Sequence, residues 1–92
     1  MRFEFKPSFD RSVKNLNPHE KAEIKSTVSK VIDILLRTHS AYQGIGLKQL
    51  QSHYWEVRHG LKTRVLFRWQ KDLVEFVLVG NHDDVKRFLK NI

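Results

Sequence analysis

The sequence predicts an α+β sandwich with the element order β-α-α-β-β-β-α: an antiparallel sheet packed against two N-terminal helices, with a short C-terminal helix. Three observations carry this expectation. Apolar residues recur at helical spacing between Phe9 and Leu35, a Val-, Phe- and Trp-rich stretch from Tyr54 to Val79 alternates with period two, and helical spacing returns after "VGNH". The 92 residues are one domain's worth of chain, too few for two independent cores. No repeat, linker or low-complexity tract interrupts them, so residues 1–92 read as a single domain.

Each element has a local reason. "RFEF" alternates polar and apolar and then meets Pro7, which cannot continue a hydrogen-bonded ladder. Phe9, Val13 and Leu16 follow at helical spacing, giving a short helix that runs to "NLNP". There Asn17 is placed as an N-cap, Pro18 at the first helical position, and Glu20 where its carboxylate closes a capping box and meets the positive end of the helix dipole. Ile24, Val28, Val31, Ile32 and Leu35 form the apolar stripe of this second helix, with Lys21, Glu23, Lys25 and Lys30 on other faces and an end near Thr38. "YQGIG" breaks the pattern with two glycines. In "HYWEVR", Tyr54, Glu56 and Arg58 share one face of a strand and Trp55 and Val57 the other. "TRVLFRW" and "LVEFVLV" behave alike and are joined by a turn at "QKD". The last helix carries Val85, Phe88 and Leu89 on one side and opens with Asp83 and Asp84. All helices are expected on one face of the sheet.

Charge narrows the partner. Seventeen Lys and Arg against ten Asp and Glu give a formal net charge of +7, and the pI is near 10.0. Such a chain favours an anionic partner: nucleic acid, an acidic protein or a membrane surface. There is no cysteine, hence no disulfide framework or thiol chemistry, and no apolar run approaches the ~18 residues of a membrane span. "MRFEFKPSF" lacks the long apolar region and cleavage site of a secretory signal, so a cytoplasmic protein without a membrane partner is expected. Histidines at 19, 39, 53, 59 and 82 show no ligand spacing, and no metal is expected.

The stretch "GLKQLQSHYWEVRHGLKTRVLFRWQKDLVEFVLVGNHDDVKRFLKN" resembles the carboxy-terminal half of RelE/ParE superfamily toxins, and the element order agrees over the whole chain. The matching pieces are Leu50, "YWEVR", the loop "HGLKT", Arg64 with Val65 opening the next strand, and Val79 with Gly80 ending the last. The resemblance to the RelE branch implies a toxin that cuts messenger RNA on the ribosome, with the RNA's own 2′-hydroxyl attacking the adjacent phosphate and neither metal nor cofactor involved. It also implies a cognate antitoxin whose acidic or amphipathic segment wraps the basic surface.

Such a cleavage needs a base for the hydroxyl proton, cations for the developing phosphorane charge, and an acid for the leaving 5′-oxygen. Arg64 matches the family's arginine before the apolar run, and arginine suits bidentate contact with phosphate oxygens. Arg58, of the same parity on the neighbouring strand, is placed to converge on the same phosphate. His82 stands where RelE proteins carry an arginine and YafQ-like relatives a histidine, and histidine titrates near neutrality. Glu56 is a candidate base or a partner for Arg58. Lys48, His59, Lys62 and Lys86 are the candidate RNA contacts. Two departures stand out: Val85 and Lys86 occupy positions where the family has a carboxy-terminal aromatic, and Glu56 and Arg58 replace its paired strand lysines. The acid and base roles therefore do not transfer.

Each residue also has a plainer reading. Arg58 and Arg64 fit a solvated strand face, and His82 fits a cap or turn residue beside Asn81 and Asp83. His53 and His59 fit surface loops, and alternation places Trp55 in the core, where Trp69 is also expected, in preference to stacking on bases. Two other functions share the fold or the charge: a ParE-like inhibitor of DNA gyrase, and a nucleic-acid-binding module without catalysis.

Overall fold

The computed structural model describes residues 1–37 and 46–92. The expected helix end at Thr38, together with His39 and Gly44, lies outside the described residues. The chain folds as β1 (Arg2–Phe5), α1 (Pro7–Lys14), α2 (Pro18–Leu36), β2 (Leu47–Gln49), β3 (Tyr54–His59), β4 (Thr63–Gln70), β5 (Leu73–Gly80) and α3 (His82–Lys90). Pro7 does two things at once: it ends β1 and, having no N–H to satisfy, opens α1. Asn17 caps α2 as the sequence predicts. Its side chain accepts from the Glu20 N–H at 2.8 Å while its own N–H donates to the Glu20 carboxylate at 3.2 Å.

Among the described residues the sheet has five strands in the order β1-β5-β4-β3-β2. The α+β class and the helix order are those expected; the structure adds one strand and corrects the all-antiparallel expectation. First, "LKQ" forms β2 and pairs antiparallel with β3; three residues are too few for period-two alternation to register. Second, β1 lies parallel to β5, making the sheet mixed. With two helices intervening, the chain is long enough for β1 to reach the far edge beside the last strand.

The helices occupy both faces, which corrects the one-face expectation. Phe9 of α1 and Ile24, Val28, Val31 and Leu35 of α2 bury against Val57, Val65, Phe67, Val74, Phe76 and Val79. α3 instead packs Val85 onto Leu66 and Val77 on the opposite face, with Tyr54, Leu78 and Phe88 around them. A bulge lies beneath this contact: the register moves from Leu66↔Leu78 to Phe67↔Phe76, leaving Val77 as the extra residue. Val77 and Leu78 then both meet α3. Two α1 serines satisfy the irregular backbone here: Ser8 Oγ donates to the Val77 carbonyl, and the Val79 N–H donates to Ser12 Oγ at 2.9 Å. Trp55 and Trp69, with ring centroids 5.7 Å apart, pack against the first core, which is the core placement the alternation implies.

Gly80 fixes where α3 crosses the sheet. A Cβ there would lie 2.7 Å from both Cβ and Oδ2 of Asp84. Asp84 can yield only by giving up its cap, since its Oδ2 accepts from the Asn81 N–H at 2.9 Å in a second capping box. Gly80→Ala is therefore expected to lower stability by roughly 1–3 kcal/mol, as overpacking does, read as a fall in the unfolding midpoint. An unchanged midpoint would remove the close approach as the reason for glycine.

Candidate active site

Strand register brings the sequence-predicted cations together. Arg58 pairs with Arg64, and Arg64 pairs on its other side with Gly80. One row along, Lys48 pairs with Glu56 and Glu56 with Leu66. Because Val57, Val65 and Leu47 face the first core, Lys48, Glu56, Arg58 and Arg64 project from the other face, the one α3 partly covers. Directly opposed like charges are ordinarily destabilising in a sheet. Only one carboxylate in this group offsets them.

That carboxylate holds Arg64. Arg64 Nε lies 3.1 Å from Glu56 Oε2, with side chains 14% and 10% exposed respectively. The expected alternative, Glu56 as a partner of Arg58, is corrected: its contact is with Arg64, diagonally across the strands. Alignment at this contact is poor, so neither Nε nor Nη1 of Arg64 makes a hydrogen bond, although both atoms are buried. Nε therefore meets Glu56 as an ion pair only, and Nη1 is left without an acceptor, which is costly for a buried donor. Arg58 is exposed beside it.

α3 begins two residues past Gly80. Asn81 caps it, its side chain accepting from the Asp84 N–H at 2.8 Å. His82 is thus the first helical residue, exposed, and does not serve as the cap. Lys86 follows one turn later on the same flank. The opposite flank, with Asp84, Arg87 and Asn91, borders a groove of about 490 Å³ beside Ser12 of α1. His82 and Lys86 therefore lie on the β3 side. Gln51, in the β2–β3 connection, ties down that side by donating to the Leu89 carbonyl at 3.2 Å. The edge-on contact of Tyr54 with Phe88, 6.0 Å between centroids, further fixes the helix.

Lys62 is exposed in the three-residue turn between β3 and β4, just past the Arg58–Arg64 row. His59 is not part of this site, contrary to the expectation of an RNA contact. Its ring lies on the α2 side, with Nδ1 3.2 Å from Thr27 Oγ1 and Nε2 3.0 Å from Glu23 Oε2. Parity is the reason: His59 follows Trp55 and Val57 onto the helix-covered face. His53 is exposed in the β2–β3 connection. What the sequence reading did not assign is the Asn81–Asp84 capping box that positions α3; its signal, N-x-x-D directly after "VG", is present in the chain.

This arrangement, two helices on one side of a sheet and a third helix beside an open basic corner on the other, is the fold of toxins from toxin–antitoxin systems. YafQ from E. coli superposes with a TM-score of 0.69 at 18% identity, covering 91% of this chain and 96% of that one. The RelB–RelE antitoxin–toxin complex from Methanococcus jannaschii matches with a TM-score of 0.69 at 15% identity over 92% and 96%. The YoeB/ParE toxin from Agrobacterium tumefaciens matches with 0.69 at 14% identity over 89% and 99%. No protein-family model and no curated protein matches the sequence. At these identities the likeness is one of fold.

Proposed function

We infer that the chain is the toxin of a toxin–antitoxin pair and an endoribonuclease that cuts messenger RNA on the ribosome. The observation that carries this reading is the Arg58–Arg64 cross-strand pair on the sheet face that α3 only partly covers, with α3 starting at His82 two residues past the Gly80 that pairs with Arg64. In this mechanism the 2′-oxygen attacks the adjacent phosphorus as its proton leaves. The 5′-oxygen departs with a proton, giving a 2′,3′-cyclic phosphate and a 5′-hydroxyl. Arg64 and Arg58 stabilise the charge on the phosphorane oxygens, and His82 transfers one of the two protons. Glu56, pinned to Arg64 and buried, is a positioning residue for that arginine, which is a better use of its geometry than proton abstraction. Lys48, Lys62 and Lys86 hold the RNA backbone. No step uses a metal or cofactor.

The partner reading has its own support. Chains of this fold have been solved with the antitoxins DinJ, RelB and YefM. Here an apolar groove of about 300 Å³ between α1 and α2, floored by Phe5, Phe9 and Val28, is edged by Lys21 and Lys25. An acidic amphipathic helix of the antitoxin suits it by shape and charge. Among the described residues no helix is long and apolar enough to cross a membrane, and the reading places the protein in the cytoplasm, with ribosomes.

The deciding experiment is primer extension on message translated with purified chain. Cuts within codons that appear only when ribosomes are present support the reading; intact message together with inhibited DNA supercoiling replaces it with gyrase inhibition. Affinity for ribosomes should also fall steeply with salt, the slope of log K against log salt steepening by roughly 0.7 per single-strand phosphate contacted. A flat profile between low and moderate salt would exclude the basic face as the docking surface.

A further inference from the structure

A second group of cations lies on the same face of the sheet at its other end. Arg68 stands four residues beyond Arg64 on β4, ~13 Å along the strand, and equal parity gives both the same face. Arg2 projects there too, because its neighbour Phe3 faces the first core. Lys71 occupies the two-residue turn between Gln70 and Leu73. Arg2, Arg68 and Lys71 line one groove of about 460 Å³ with Gln70, Asp72 and Leu73.

Strand pairing brings the three together: Arg2 pairs with Leu73 and its N–H donates to the Asp72 carbonyl, beside the turn that carries Lys71. Arg2 and Lys71 are exposed, and among the described residues neither side chain forms an ion pair or hydrogen bond. Lys71 has φ +55, a left-handed conformation lysine rarely adopts. Arg68, by contrast, is held in place: Nη1 lies 3.3 Å from Glu75 Oε1, and Nη2 donates to Gln70 Oε1. Glu75 is shared, its Oε2 lying 3.2 Å from Lys6 Nζ. Asp72 is the one carboxylate lining the groove; Arg68 is already paired with Glu75, which leaves Arg2 and Lys71 as the unpaired cations. A fixed guanidinium flanked by two unpaired cations is the arrangement of an anion site.

The two basic corners are joined across α3. Its outer side carries Lys86, Arg87 and Lys90, all exposed. Its C-terminal half lies beside Tyr54, the cross-strand partner of Arg68. The geometry points to the Arg2–Arg68–Lys71 groove as a second phosphate subsite, one that takes an RNA backbone phosphate remote from the one held by Arg58 and Arg64. This rests on the RNA reading of the first site. A strand seated in both crosses the outer side of α3.

The test compares wild type with an Arg2→Ala/Lys71→Asn double variant, Asn being chosen because it tolerates the left-handed turn. The probe is a short single-stranded 2′-O-methyl RNA, which lacks the attacking hydroxyl. The double variant should bind it about tenfold more weakly at low salt, with the log–log salt slope reduced by about 0.7, the loss of one phosphate contact. Its single-turnover cleavage on saturating ribosomes should be unchanged. Loss confined to ribosome binding assigns the phosphate to ribosomal RNA, whereas loss on the oligonucleotide assigns it to the message strand; either supports the subsite. Wild-type affinity and slope for both ligands would overturn it. If the wild-type chain neither binds nor cuts RNA, the proposed function fails separately. Titration with inorganic phosphate, followed at the Lys71 and Asp72 amide resonances, then decides the groove: shifts lost in the double variant retain it, and no shifts reject it.

Discussion

Arg64→Lys is expected to fold like wild type and to cut at least ~10²-fold more slowly, the scale of losing a preorganised transition-state donor. Lysine keeps a positive charge beside Glu56 but lacks the planar fork that presents two donors to a phosphate. Arg64→Ala is a different experiment. Arg64 and Glu56 are 14% and 10% exposed and 3.1 Å apart, so removing the arginine leaves a nearly buried carboxylate uncompensated. A loss of about 3 kcal/mol should accompany the loss of activity. Chemical denaturation and single-turnover cleavage, measured on both variants, separate the two effects. If Arg64→Lys cuts at the wild-type rate, the arginine is structural and the proposed mechanism is wrong.

His82→Gln is expected to separate binding from chemistry. Glutamine keeps a polar side chain of similar reach but moves no proton, so cleavage should fall about 10²-fold or more while ribosome affinity holds. Stability should hold as well, because the cap of α3 belongs to Asn81 and Asp84 and His82 is an exposed first-turn residue. Asn81→Ala is the control: it removes the cap, costs about 1 kcal/mol, and should reduce cleavage only as far as it loosens α3. An unchanged rate in His82→Gln removes the histidine from the chemistry, and parallel loss of affinity and rate makes it an RNA contact.

How much of this was legible beforehand follows from the range of the interactions. Capping residues act within one turn, so "NPHE" marked the start of α2 and its box without tertiary information. Period-two alternation is equally local, and it assigned Trp55 and Val57 to one face of β3 and Glu56 and Arg58 to the other. β2 escaped because three residues show no period. The parallel placement of β1 escaped because it depends on a partner about 70 residues away, a pairing that no local pattern encodes.

The same division runs through the site. By itself the sequence determined which candidate side chains are present: two arginines of like parity on neighbouring strands, a histidine past the last strand, and an excess of cations. Tertiary structure decided which of them meet. Register set Arg58 opposite Arg64 and Glu56 diagonal to Arg64, so the carboxylate went to the less exposed of the two arginines. Parity carried His59 through the sheet to Glu23 and Thr27. The missing side chain at Gly80 let α3 cross the second face over the bulge at Val77, placing His82 and Lys86 on the side of β3. Residue type is a property of one position and is written in the chain, whereas proximity depends on strand pairing and packing, which exist only when distant segments are closed upon one another.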